Sequence, residues 1–118
     1  MQAKTLTALE LDKILISLTS ATLTPLGAEI ARDLKPSTRP DTVRSWQAQT
    51  TEARDLLAAG EEIPLRGIKD IRPALKRSRI GALLSPDELL QIKDTLRAAG
   101  QLHRFFKGKG AKAPYMAE

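Results

Sequence analysis

At 118 residues with no cysteine, the chain is one domain's worth of sequence, and it excludes a disulfide framework and thiolate metal sites. It is 42% hydrophobic but only 3% aromatic, so its core must rest on Leu, Ile and Ala, which suits helix packing better than a β-sandwich. A net charge of +5 and a pI near 9.8 lean toward a polyanionic partner. The opening Met1-Gln2-Ala3-Lys4-Thr5-Leu6-Thr7 lacks the long apolar run of a secretory leader, and no apolar stretch reaches the roughly 18 residues of a membrane span. A cytoplasmic location with no membrane contact is expected.

The first helical pattern runs from about Lys4 to Leu23, with Leu11, Ile14, Leu15 and Leu18 on one face and a possible break near Glu10. Thr24-Pro25 reads as a restart. Thr24 can cap, and Pro25 at the first helical position needs no N–H partner. That second helix is expected over 25–34, with Leu26, Ile30 and Leu34 inward; Gly27 within it serves either close packing or nothing beyond tolerance in a first turn. The Lys35–Pro40 segment, bracketed by two prolines, is a loop. A third helix over 40–59 follows, stopped by Gly60. Its Val43, Trp46, Thr50, Ala53 and Leu57 step by three and four, a narrow seam that predicts packing along one partner helix. Trp46 on that seam reads as a core or half-buried residue before it reads as a recognition aromatic.

A connector over 61–67 leads to a short basic helix over 71–79. Asp70 is its expected cap, Ile71, Ala74, Leu75 and Ser78 its inner face, and Gly81 its end. Ser85-Pro86-Asp87-Glu88 is a complete helix-start signal: a capping serine, a proline at the first helical position, and a glutamate three residues on that closes a capping box. The last long helix is expected over 86–107, with Leu89, Ile92, Leu96, Ala99, His103 and Phe106 as a heptad-like stripe that continues past Gly100. The segment from Lys107 to Lys112 reads as a flexible basic linker. Residues 113–118 look like the opening turn of another helix, as expected of a chain cut at an imposed boundary. The expected architecture is all-α: about five helices, packed antiparallel over 1–107, then the linker over 108–118.

No catalytic constellation emerges. His103 is the single histidine, and with no cysteine it reads as a packing residue. Glu61 and Glu62 are adjacent on a connector. Gly108 and Gly110 stand among lysines with no strand before them, which is not a phosphate loop. No cofactor or metal is expected in this chain. The basic groups Arg66, Lys69, Arg72, Lys76, Arg77 and Arg79, with Lys107, Lys109 and Lys112, could contact a phosphate backbone or form a solvated surface. Without interleaved aromatics, any such contact would read backbone and not sequence.

The ordered set Thr24-Pro25-Leu26-Gly27, Leu34-Lys35-Pro36, Gly67-Ile68-Lys69-Asp70-Ile71-Arg72-Pro73-Ala74-Leu75 and Leu84-Ser85-Pro86-Asp87-Glu88-Leu89-Leu90 resembles the N-terminal region of the second bacterial MutS family, a paralogue of the mismatch-repair ATPase MutS. The opening Thr5-Leu6, Leu9-Glu10 and Asp12-Lys13-Ile14-Leu15 resembles the same family. The resemblance implies a core or lever region at the head of a much longer protein. That longer protein would be a homodimeric ATPase using ATP and Mg, with a Smr-type nuclease domain. It would bind branched or duplex DNA, suppress homologous recombination and rescue collided ribosomes. In this chain the resemblance implies structural roles only, for Thr24, Gly27, Asp70, Arg72, Ser85 and Glu88. It also leaves the two narrow seams partly exposed, so self-association of the isolated chain is expected.

Overall fold

The computed structural model describes residues 3–109 and 112–117. Among them there are seven helices and no strand: α1 (Ala3–Ala8), α2 (Leu11–Ser20), α3 (Pro25–Arg32), α4 (Pro40–Ala58), α5 (Arg72–Arg79), α6 (Pro86–Lys109) and α7 (Pro114–Ala117). The fold is all-α, as expected. Two helices exceed the expected five. The first predicted helix is split at Glu10, whose backbone is left-handed (φ 53°), and the terminal turn at Pro114 forms. At Glu10 the amide of Leu9 closes α1 on the Thr5 carbonyl, while the Glu10 carboxylate takes the Lys13 ammonium at 2.6 Å as α2 begins. Gly110, Ala111 and Glu118, within the expected linker and its following turn, lie outside the described residues.

Helix ends follow local chemistry. The Thr24 hydroxyl accepts from the Gly27 amide at 3.0 Å and Pro25 fills the first position of α3. A Cβ on Gly27 would lie 3.0 Å from that same hydroxyl and 3.8 Å from the Thr22 Cβ. The close approach at Gly27 is therefore to its own capping loop and not to another helix. Gly60 and Gly81 follow α4 and α5 with φ of 76° and 80°, the left-handed region that lets a glycine end a helix. The capping box at α6 forms in both halves: the Glu88 amide donates to Ser85 Oγ at 3.2 Å, and the Ser85 amide donates to Glu88 Oε2 at 2.8 Å. Ser85→Ala is expected to remove about 1 kcal/mol of stability in urea titrations, with Ser85→Thr retaining most of it.

α1 packs on α2, α2 on α3, and α7 bridges the long helices α4 and α6. The bridge is held by hydrogen bonds as well as packing: Glu52 of α4 accepts from the Tyr115 and Met116 amides at 3.2 and 3.0 Å, and Ala113 is fully buried beside it. The result is open. Its radius of gyration is 17.5 Å, against about 13.5 Å for a compact chain of this length. Its accessible surface is 9311 Å², about 3,000 Å² more than a compact monomer of this mass exposes.

The seams are only partly covered within the chain: Val43, Ala53, Ile92 and Phe106 are half-buried, and the rest of each seam is exposed. On α4 the buried residue is Leu56, 4% exposed, while Leu57 on the predicted seam is 62% exposed and Trp46 is 42% exposed. On α6 the buried residue is Ala98, while Leu89, Leu96, Ala99 and His103 are exposed. The packing role expected of His103 is thus corrected. The same holds on α3, where Ala31 is buried and Ile30 is 70% exposed.

Candidate functional site

The residues from Gly67 to Glu88 form a joint that locks three helices. α5 begins at Arg72, one residue later than expected, with Pro73 at its second position, and Ile71 occupies the capping position without a side-chain bond. Asp70 still satisfies the first helical amide from two residues upstream: its Oδ1 accepts from the Arg72 backbone N–H at 3.1 Å. The Arg72 guanidinium folds back onto the same carboxylate, with Nε and Nη2 donating at 2.9 and 2.8 Å. Its other edge reaches Glu29 of α3, Nη2 at 2.5 Å and Nη1 at 3.4 Å. One planar fork is shared by two carboxylates 41 residues apart in sequence, a task for arginine and not lysine.

Glu88 has an equivalent double use. One carboxylate oxygen caps α6 through the Ser85 amide, and the other takes Arg77 of α5. The connector before α5 is tied to α6 by the Lys69 amide, which donates to Thr95 Oγ1 at 3.1 Å. Gly67 lies so close to α6 that an added Cβ would stand 4.0 Å from the Ala98 Cβ and 3.9 Å from the Asp94 carbonyl oxygen.

Of the nine basic residues that sequence reading offered as phosphate contacts, three are engaged within the chain. Arg72 and Arg77 hold the joint, and Lys109 pairs with Glu61 while its ammonium sits 5.8 Å from the centre of the Phe105 ring. Lys107 and Lys109 form the last turn of α6, which runs two residues beyond its expected end. Arg66, Lys69, Lys76, Arg79, Lys107 and Lys112 are exposed and have no acidic partner within 4.0 Å among the described residues. They are not gathered on one element: Arg66 and Lys69 lie on the connector, Lys76 and Arg79 on α5, Lys107 at the end of α6 and Lys112 beyond it. Sequence reading missed Glu29 and Glu61 as partners, because nothing local ties either of them to a cation more than 40 residues away.

The joint has an electrostatic signature. Hydrogen bonds from the Arg72 guanidinium hold the Glu29 and Asp70 carboxyls below their ordinary values of 4.5 and 3.8. The Ser85 amide, and then Arg77, do the same for Glu88, and Lys109 does so for Glu61. The same two carboxylates push the Arg72 guanidinium upward. A depressed carboxyl binds fewer protons folded than unfolded, so its stabilisation is present above the ordinary carboxyl range and is lost as pH falls below it. Melting temperature is therefore expected to hold from neutral pH to about pH 5 and to decline below that. Arg72→Met should flatten the acid limb; an unchanged acid limb would remove Arg72 as its cause. The pairs are solvent-exposed, so added salt should weaken them.

Comparison with known proteins adds sequence relatives only. No protein-family model matches the chain, and no solved structure matches it significantly. It is 36% identical over 115 residues to a protein named Endonuclease MutS2 from Alkaliphilus oremlandii, covering 98% of this chain and 15% of that protein. It is 42% identical over 108 residues to Endonuclease MutS2 of Geobacillus kaustophilus, covering 92% and 14% respectively. With Endonuclease MutS2 of Acetivibrio thermocellus it shares 42% identity over 105 residues, 89% of this chain and 13% of that protein. The chain thus spans about one seventh of the length of the relatives it matches, and within that span it belongs to the MutS2 family.

Proposed function

We propose that this chain is the N-terminal core segment of a longer MutS2-type endonuclease, a structural lever with no catalysis of its own. The observation that carries the reading is the open surface, about 3,000 Å² beyond that of a compact monomer. Such a surface suits a segment that other parts of a large protein cover. The joint from Gly67 to Glu88 supports the same role: it spends its arginines on fixing α5 against α3 and α6, which favours stiffness over ligand contact. A segment that passes motion between distant parts needs such fixed helix junctions.

On this reading the endonuclease activity, the use of ATP and Mg, and homodimer formation belong to the longer protein. So do contacts with branched or duplex DNA and with ribosomes, whether in suppressing recombination or in rescuing collided ribosomes in the cytoplasm. The test is fluorescence anisotropy of the chain with duplex and branched DNA across a salt series. Negligible binding near physiological salt is expected. Binding with a steep salt slope that Lys76→Ala and Arg79→Ala each reduce by about one would instead favour a free-standing module reading the phosphate backbone. Those two residues are chosen because both are exposed and neither holds an acidic partner within the joint.

A further inference from the structure

The outer face of α6 carries an apolar row bordered along one side by basic residues. Leu89, Leu96 and His103 repeat every seven residues, and the two leucines are 55% and 63% exposed. At 100° per residue, Lys93, Arg97, Arg104 and Lys107 fall beside that row, on the side turned away from the buried Ala98. All four are exposed. Lys93 is 4.0 Å from the neighbouring Asp94, and the other three have no acidic partner within 4.0 Å among the described residues. No acid follows Asp94 within the helix.

We infer that the outer face of α6 is a docking surface for an amphipathic helix whose apolar stripe is flanked by Asp or Glu. The sevenfold repeat selects a helix, because side chains at that spacing meet a facing helix along one continuous seam. The charge border selects its flanks, since opposite charges beside a seam set partner choice. A second copy of this chain fits poorly in the antiparallel sense: that pairing would set basic border against basic border, in a chain already at +5. That replaces the self-association expected from the seams alone. Nucleic acid would meet the cations but leave Leu89 and Leu96 uncovered. The face would take such a helix whatever the longer protein's activity.

The probe is a synthetic peptide of about four heptads with leucine at its core positions and glutamate at its flanks, compared with a lysine-flanked version and with duplex DNA, by anisotropy against the whole chain. The glutamate peptide should bind about tenfold or more tighter than the lysine peptide. Leu96→Asp should abolish that binding with helicity unchanged by circular dichroism, as the residue is exposed. Lys93→Glu combined with Lys107→Glu should shift preference toward the lysine peptide. Equal binding of both peptides, no binding of either, or indifference to Leu96→Asp would overturn the inference. So would DNA binding lost in the charge-reversed variant but kept in Leu96→Asp, or a dimer of the chain in sedimentation that Leu96→Asp dissolves.

Discussion

Leu56→Ala should destabilise the chain by about 2–4 kcal/mol, whereas Leu57→Ala should change stability by less than about 0.5 kcal/mol. The two residues are adjacent on α4 and chemically identical, but Leu56 is 4% exposed and Leu57 is 62% exposed. Truncating Leu56 removes its buried methyls and leaves a void, and an open chain with few buried residues has little stability in reserve. Leu56 also sits where α4 turns into the connector: its carbonyl accepts from the Glu61 amide at 3.0 Å, and Glu61 in turn holds Lys109 of α6. The loss should therefore appear as one cooperative shift in urea midpoint, with amide exchange rising at both the end of α4 and the end of α6. If Leu57→Ala proves the more damaging, the assignment of the inner face of α4 is wrong.

That pair shows what the sequence could and could not disclose. Helix starts were legible because their chemistry is local: Thr24 with Gly27, and Ser85 with Glu88, lie three residues apart and bond as their spacing requires. Helix ends at Gly60 and Gly81 were legible for the same reason. The inner faces were not. Apolar periodicity on α4 marks Val43, Trp46, Ala53 and Leu57, but the face turned inward includes Ala48, Glu52 and Leu56, which is mostly small or polar. Glu52 is there to bond two backbone amides of α7, something no hydrophobic count can register. On α6 the inner face carries Thr95, Ala98 and Lys109, again with polar work to do. The apolar stripes are thus only partly turned inward: Leu57, Leu89 and Leu96 stay exposed while Val43, Ala53, Ile92 and Phe106 are half-buried. The basic joint was legible as a cluster and misread in part. Arg72 and Arg77 were seen as outward cations because their partners, Glu29 and Glu88, lie 43 and 11 residues away, beyond the i, i+3 and i, i+4 spacings of one helix.

Ala98→Leu is expected to cost about 1–3 kcal/mol, and Ala99→Leu to be nearly neutral. Ala98 is 3% exposed and lies under the connector at Gly67, where even a methyl added to the glycine would be in contact at 4.0 Å. A leucine there must push the connector away from α6. The first bond to go would be Lys69 N–H to Thr95 Oγ1, which holds the segment immediately before Asp70. Asp70 then loses the position from which it caps the first amide of α5 and orients Arg72 toward Glu29. An overpacked residue on α6 should thereby loosen the tie between α5 and α3. The measurement is a double-mutant cycle. If the joint is a single unit, Ala98→Leu and Glu29→Gln will be less than additive in denaturation, because the first already releases the pair that the second removes. Strict additivity would mean that α3 holds α5 independently of the connector, and the joint would be two separate contacts.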